Sequence, residues 1–388
     1  MDLRVFEDLM TPEGQRLLTE VHERAGIESD LALGTRLRKT YDFALVAAAV
    51  TQNHLRGKAI AKFGNDAARM YFAHEALEQS TRGSVSRHRA AKLAATGSTQ
   101  VVDLGCGIGG DLIAFAKAGM SVRGIELDPV RAAIARANLD ALGLSGIIEC
   151  ADATGAPIAG GETAFVDPAR RDGRGRVFDP KNFIPSWDFV AALLEGKAVV
   201  KTMPGIAHNL VPGGVEAEWI SDGGNLVEAC LWGRPYATAR RRATLLPSGV
   251  TLTEVDDPGD ATTDVPGAVI YEPDDAVIRA GLVTAVAAHV GGWLVDPHIA
   301  YVSGNELART PFARAFHVIE ELPFREKALK AALVQRDIGT LTIKKRGVDI
   351  VPEILIKRMR LKGSGTATVI MTRVQGQGKA YLVAPAAD

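Results

Sequence analysis

The sequence predicts a doubly wound, mostly parallel α/β sheet, preceded by a helical region and followed by a second small α/β domain. Three observations predict it. Residues 1–95 carry helical periodicity with little β-branched enrichment. From Gln100 onward, short β-branched runs alternate with helical stretches, the pattern of strands joined by crossover helices. After about residue 235 the pattern changes to mixed strands and helices, and 388 residues are enough for two or three domains. The divisions expected are 1–95, 96–235 and 236–388.

In the helical region, apolar periodicity is clearest in 41–50 and 67–78. Thr96-Gly97-Ser98-Thr99 reads as a short linker. Val101-Val102-Asp103-Leu104 is a strand, followed by a glycine loop and a helix through Asp111–Ala118 that stops at Gly119. Ser121–Glu126 is the second strand. Asp128-Pro129 starts the next helix, with proline at an early helical position. Ile147–Cys150, Glu162–Val166 and Lys197–Lys201 are the third, fourth and fifth strands, and Gly214–Ile220 with Leu226–Leu231 forms a closing pair. That makes seven strands. Pro247 to Pro266 is acidic and rich in Gly, Pro, Thr and Asp, so it reads as a surface excursion. Ala276–Val290 is helical, and Val318-Ile319, Thr340–Ile343 and Thr366–Met371 are strands of the final domain.

Composition narrows the class. Apolar residues make up 47% and charged residues 23%, an ordinary globular mixture. The three cysteines, Cys106, Cys150 and Cys230, match neither a zinc pattern nor a disulfide framework. The beginning Met1-Asp2-Leu3-Arg4 has no apolar signal core, and the apolar runs 43–50 and 282–290 are too short to span a bilayer. A cytoplasmic protein with no membrane partner and no bound metal is expected, with a monomer slightly favoured. The net charge of -1 hides local asymmetry. Segment 36–95 has eleven Lys/Arg against four Asp/Glu, segment 341–388 has nine against three, and 254–275 has eight acidic residues and no basic one. The two basic segments read either as a nucleic-acid footprint or as solvated faces.

The loop after the first strand has glycine at 105, 107 and 110, a G-x-G-x-x-G spacing that dinucleotide folds also use. Glu126 stands 21 residues after Gly105, where such folds place a ribose-binding acid. Asp103 shifts the balance. A carboxylate two residues before the first glycine would repel a pyrophosphate. It suits S-adenosylmethionine, which has no phosphate and carries an ammonium and a sulfonium. Asp152 follows the third strand, placed to meet an adenine edge, and Asp167-Pro168 ends the fourth.

Residues 101–111, Val-Val-Asp-Leu-Gly-Cys-Gly-Ile-Gly-Gly-Asp, resemble the first motif of class I S-adenosylmethionine-dependent methyltransferases. The resemblance implies a Rossmann-like methyltransferase fold and cofactor contacts from Asp103, Gly105, Cys106, Gly107, Gly109, Asp111, Glu126, Leu127, Asp152 and Ala153. Asp167-Pro168-Ala169-Arg170 stands where many N-methyltransferases carry an Asp/Asn-Pro-Pro-aromatic tetrad, but the second proline and the aromatic are missing. Asp167, Pro168 and Arg170 are the candidate catalytic residues, with the planar guanidinium of Arg170 suited to stacking on a base or holding a phosphate. The whole chain resembles bacterial class I methyltransferases with a C-terminal THUMP-like domain. The leader motifs Leu37-Arg38-Lys39, 59–63 and 75–79 carry this resemblance, together with Tyr271-Glu272-Pro273, Ile343-Lys344-Lys345-Arg346-Gly347 and Leu361-Lys362-Gly363.

Arg171 and Arg174 follow Asp167 in a Gly-containing loop, and Lys201 ends the fifth strand. With Lys344 and Lys345 they form the candidate substrate-binding set, Lys201 as pocket lining and the others as phosphate contacts. The alternatives are a solvated loop for the arginines, and solubility or contact with the acidic 254–275 stretch for Lys344 and Lys345. The leading function is N-methylation of an RNA base, with RNA as partner and no metal. The rival functions are methylation of a protein or small molecule, a nicotinamide-dependent dehydrogenase, and a non-catalytic RNA-binding protein.

Overall fold

A computed structural model describes residues 1–170 and 183–386. Arg171 and Arg174 lie outside the described residues, and so does the side chain of Arg170. The chain divides into two compact units, Met1–Glu216 with Cys230–Ala237, and Ala217–Ala229 with Thr238–Asp388.

The first unit begins with α1 (Leu3–Met10), α2 (Pro12–Arg24), α3 (Asp30–Leu37) and α4 (Phe43–Phe63). Each starts on a short polar side chain that accepts from the first turn: Asp2 from Val5, Thr11 from Gly14, Ser29 from Ala32, and Asp42 from Ala44 and Leu45. α5 (His74–Gln79) and α6 (Gly83–Ala95) complete the helical region. Between α4 and α5, Met70-Tyr71-Phe72 is buried but belongs to no helix or strand, so its backbone groups need other partners. Two buried amides supply them. Gln52 of α4 donates to Phe72 O at 2.6 Å and accepts from Phe72 N at 2.9 Å. Asn138 accepts from Tyr71 N at 2.6 Å and donates to Tyr71 O at 3.1 Å and Ile108 O at 2.9 Å.

The strands and helices that follow are β1 (Gln100–Leu104), α7 (Gly110–Lys117), β2 (Ser121–Glu126), α8 (Pro129–Ala141), β3 (Gly146–Cys150), β4 (Thr163–Val166), β5 (Ala169–Arg170), β6 (Phe183–Ile184), α9 (Trp187–Leu193), β7 (Ala198–Thr202), β8 (Glu216–Asp222) and β9 (Asn225–Trp232). The strand order includes β9-β7-β4-β1-β2-β3, with β1 parallel to β2 and β4, β2 to β3, and β4 to β7. β5 and β6 form a separate antiparallel pair. Val101, Val102 and Leu104 are almost wholly buried, and each such side chain contributes about 1.5–3 kcal/mol. Gly124 of β2 faces Asp103 across the ladder. A Cβ there would lie 2.6 Å from Leu112 Cδ1 and 2.8 Å from Cys106 Sγ, so glycine lets the loop and α7 close on the sheet. The seven strands expected from the sequence are β1–β4 and β7–β9.

In the second unit, β10 (Arg241–Leu246) pairs in parallel with β8 and antiparallel with β11 (Val250–Thr253). β11 lies in the segment expected to be an irregular excursion. Then come β12 (Val269–Pro273), α10 (Asp275–Ala280), α11 (Val283–His289), β13 (Trp293–Asp296), β14 (Ile299–Gly304), β15 (Ala313–Leu322), α12 (Glu326–Gln335), β16 (Ile338–Arg346), α13 (Pro352–Met359), β17 (Gly365–Val374) and β18 (Gln377–Pro385). They form a seven-stranded sheet in the order β13-β14-β12-β15-β18-β17-β16. The single helix expected over 276–290 is broken at Gly281, which takes the left-handed conformation and closes α10. One core, with Leu329, Leu333 and Met359, packs α12 and α13 on β16–β18. A second, around Tyr301, Phe316 and Ile370, joins β12 and β14 to β15, β17 and β18. No helix among the described residues is long and apolar enough to cross a membrane.

Candidate active site

Because the strands are parallel, the carboxyl ends of β1, β2, β3, β4 and β7 lie on one edge of the sheet. The order reverses between β1 and β4, the place where open α/β sheets hold ligands. The glycine loop begins there. Gly105 and Cys106 N–H groups both donate to Ile125 O, at 2.8 and 3.0 Å, which turns the chain sharply at the end of β1. Gly105 and Gly107 have φ of 104° and 57°, and an added Cβ at either would meet no atom within 4 Å. The left-handed backbone demands glycine, and the open side leaves room for a ligand against the main chain. Gly109 caps α7, with φ of 83°, against Ala135.

Glu126 closes the far side of the loop. One carboxylate oxygen accepts from Gly107 N at 2.8 Å and the other from Asp128 N at 2.9 Å. Each oxygen retains a lone pair for a ribose hydroxyl. Leu127, next in the chain, is 70% exposed, an apolar surface at the mouth of the edge. Asp152 lies after β3. Its Oδ1 accepts from Thr154 N at 2.8 Å and Thr154 Oγ1 at 2.7 Å, which holds its carboxyl below the ordinary range. Ala153 opens the short 3₁₀ turn that Asp152 caps.

Asp103 is different. It is 2% exposed, and its Oδ1 is buried with no hydrogen-bond partner. Burial, followed by the nearby carboxylates Asp111 and Asp167, pushes its pKa well above the usual carboxyl value. A buried polar atom left unpaired in a tightly packed strand marks a place where a ligand group belongs. The carboxyl is suited to an ammonium, and this edge of the sheet fits S-adenosylmethionine. Asp103, Glu126 and the Gly105–Gly109 backbone would hold the cofactor. Cys106 is buried, and burial, then Asp103 and Glu126, pushes its thiol pKa up, so the thiol is a small packing group here.

Asp111 was expected beside the cofactor, but its carboxylate meets protein partners. One oxygen pairs with the Arg89 guanidinium of α6, and the other accepts from Thr81 Oγ1 at 2.9 Å. Arg89 is fully buried and also sits over the Phe165 ring, 4.8 Å from its centroid. Asp111 therefore fastens the helical region to α7.

At the ends of β4 and β7, the Lys201 ammonium donates to Asp167 Oδ2 at 2.6 Å. Pro168 is partly exposed beside it, and Arg170 pairs with Phe183 in the β5–β6 ladder. Lys62 of α4 stands near Lys201, and its ammonium donates to the carbonyls of Leu77, Glu78 and Ser80 at 2.6–2.8 Å. Burial, then Lys201 and Arg82, lowers its pKa. Among the described residues no His, Cys, Asp and Glu cluster has metal-site geometry.

Lys344 and Lys345, the remaining cations expected to bind substrate, are in the second unit. Lys344 is paired with Glu272 at 2.6 Å, and Arg346 with Asp275 at 3.2 Å. Both acids come from the acidic stretch 254–275, and the Lys344 ammonium keeps further donors beyond that pair. Lys345 is exposed. Sequence reasoning missed Asn138, Gln52, Arg89 and Lys62. Only Asn138, set among the apolar residues of a helix, carried a visible signal.

Comparison with known proteins agrees with this geometry. Residues 313–385 match the THUMP domain-like family, 98–154 match the RNA cap guanine-N2 methyltransferase family, and 2–59 match a domain of unknown function. An S-adenosylmethionine-dependent methyltransferase of Mycobacterium tuberculosis strain H37Rv, itself uncharacterised, is 38% identical over 342 residues, covering 85% of this chain and 93% of its own. Its counterpart in strain CDC 1551 matches equally well. A crystal structure from Porphyromonas gingivalis W83, assigned as a methyltransferase, shares the fold at a TM-score of 0.71. It is 22% identical and covers 90% of this chain and 92% of that one.

Proposed function

The chain belongs to the bacterial S-adenosylmethionine-dependent methyltransferases with a C-terminal THUMP-like domain, and from that premise we propose that it methylates a nitrogen of an RNA base. The observation that carries the reading is the pair of carboxyl groups at the strand switch. Asp103, on β1 two residues before Gly105, is buried with its Oδ1 unpartnered, while Asp167 is held by Lys201 and 39% exposed in its side chain.

S-adenosylmethionine supplies a methyl group activated by its sulfonium. The protein's task is alignment of the attacking nitrogen with that methyl. Asp103 anchors the amino-acid end through charge, and Glu126 accepts from the ribose. Asp167 accepts a hydrogen bond from the acceptor N–H and turns the nitrogen lone pair toward the methyl. Lys201 holds the Asp167 carboxylate in place by a charge-assisted hydrogen bond. After transfer, Asp167 Oδ1 stands ready to take the proton that leaves nitrogen. Pro168 and Arg170 line the acceptor side in this proposal, Arg170 by stacking on the base or holding a phosphate, with Arg171 and Arg174 as phosphate contacts; Lys345, exposed on the second unit, is proposed separately as a contact to RNA phosphate.

RNA is favoured by the match of 98–154 to an RNA methyltransferase family and by the cations of 36–95 and 341–388. The three free cysteines accord with work in the cytoplasm. We retain residues 1–95, 96–235 and 236–388 as the functional division. The deciding experiment is transfer of isotope-labelled methyl into total RNA from cells lacking the protein, followed by nucleoside identification. Labelled N-methylnucleoside is the expected result. Label confined to protein or metabolites would replace RNA as the acceptor.

A further inference from the structure

The second unit contains a cavity of about 410 Å³ whose lining comes from five separate stretches of chain. Arg314 of β15 is its key residue. Arg314 is an exposed residue at the cavity mouth, and its guanidinium makes no hydrogen bond or ion pair among the described residues, although it faces Glu272 across the β12–β15 ladder. A Cβ on Gly224, in the turn between β8 and β9, would stand 2.6 Å from Arg314 Nη2. Ser221 of β8 lines the same cavity. It is 1% exposed, and its hydroxyl has no partner. Lys344 reaches the lining from β16 and gives one N–H to Glu272, leaving further donors on its ammonium.

The carboxylates of the lining are largely answered from within. Glu272 meets Lys344, Asp275 meets Arg346, and Asp274 Oδ1 accepts from Ala276 N at 2.8 Å. The unanswered groups are donors: a guanidinium, a buried hydroxyl and part of an ammonium. Guanidinium with hydroxyl and ammonium donors is phosphate-recognition chemistry. A phosphate alone is much smaller than the cavity. The remaining walls include Leu245, Leu246 and Pro311, apolar surface for a ring, while the carboxylates can accept from ribose hydroxyls or an exocyclic amine.

We propose that this cavity is a nucleotide site, with Arg314, Ser221 and Lys344 holding the phosphate. The nucleotide is either free or one unit of an RNA strand; the chemistry is shared. The site does not rest on RNA being the methyl acceptor, since its lining belongs wholly to the second unit and its occupancy is read without methyl transfer.

The test is titration calorimetry of the full chain with GMP, with guanosine, and with a single-stranded RNA decamer. Binding of GMP or the decamer is expected, and guanosine should bind at least about tenfold more weakly than GMP, as loss of charge-assisted phosphate contacts requires. Arg314→Ala and Arg314→Gln should each weaken the bound ligand about tenfold or more, and Ser221→Ala should weaken it severalfold. Thermal stability and S-adenosylhomocysteine affinity should be unchanged in the Arg314 variants. If the decamer competes with GMP, the nucleotide belongs to a strand; if GMP binds and the decamer does not displace it, the ligand is a free nucleotide. Absence of binding by both, guanosine binding as tightly as GMP, or undiminished binding by both Arg314 variants would overturn the site.

Discussion

Lys201 Nζ lies 2.6 Å from Asp167 Oδ2, tying together the ends of two neighbouring parallel strands, β7 and β4. The lysine side chain is 16% exposed and the aspartate 39%, so the pair is screened less than a surface ion pair while one carboxylate edge stays open to an acceptor. Replacing Lys201 with Met should lower kcat by about 10–100-fold by freeing the Asp167 carboxylate to rotate. S-adenosylhomocysteine affinity should change little, and Lys201→Arg should restore part of the rate. Stopped kinetics and equilibrium binding on the same samples separate the two effects. Equal losses in rate and cofactor affinity would make Lys201 a support of the cofactor site.

Asp103 leads to a pH prediction. Its folded-state pKa lies above the unfolded value because burial opposes the charged form. The folded protein therefore binds more protons than the unfolded chain in the window above the ordinary carboxyl range. Stability contributed by the neutral carboxyl is present at low pH and falls as pH rises toward the folded pKa. Asp103→Asn removes the ionisable group without changing shape. Urea unfolding should find the variant more stable by about 1–3 kcal/mol at pH 8, with the difference shrinking toward pH 4. The same change should weaken cofactor binding. In the unmodified protein, docking of the ligand ammonium favours the carboxylate, so binding should release a proton and its enthalpy should vary with the buffer's ionisation enthalpy. A pH-independent stability difference would remove the proton from Asp103.

The clamp on the irregular segment gives the third prediction. Asn138→Ala leaves Tyr71 N, Tyr71 O and Ile108 O without their side-chain partner in a buried setting. Leaving buried groups unpaired costs about 1–3 kcal/mol each before relaxation, so a loss of about 3 kcal/mol or more is expected. Because Ile108 belongs to the glycine loop, cofactor affinity should fall as well. Hydrogen exchange at Tyr71 and Phe72 amides should rise first. Retained protection there would show that other contacts hold the segment.

These residues also mark where sequence reading succeeds. β1, the glycine loop and β2 are legible because an apolar run, a left-handed turn and a strand-end acid occupy consecutive positions, and local chemistry specifies each. Asp167 could be placed on the same strand-end logic, but its pairing with Lys201 spans 34 residues and depends on β7 lying beside β4. Gln52 sits in a helix, where an amide looks like solvent surface until the partner segment is folded against it, and Asn138, though set among apolar residues, did not reveal which segment it holds. β12 escaped because its partners β14 and β15 lie about 30 residues or more further along the chain, while β13–β14 and β17–β18 are tight hairpins whose short turns were not read from the sequence. Lys344 was read as a phosphate contact within a basic run, and its pairing with Glu272, 72 residues earlier, was not legible there.

Arg89 and Asp111 test whether the helical region is structurally inseparable from the sheet. The guanidinium is fully buried against the Asp111 carboxylate, and Thr81 holds the other oxygen. Breaking a buried pair by removing one partner leaves the other charge uncompensated, so Arg89→Met should cost about 3–5 kcal/mol. Removing both charges in Arg89→Met with Asp111→Leu should recover a large part, since the remaining residues can pack without an isolated ion. Asp111→Asn should disturb S-adenosylhomocysteine binding far less than Asp103→Asn, because Thr81 and Arg89, rather than a ligand, face the Asp111 oxygens. A double-mutant cycle in urea measures the first relation, and calorimetric titration of the two Asn variants measures the second. If Asp111→Asn weakened ligand binding as much as Asp103→Asn, Asp111 would return to the cofactor set and the clamp would be secondary.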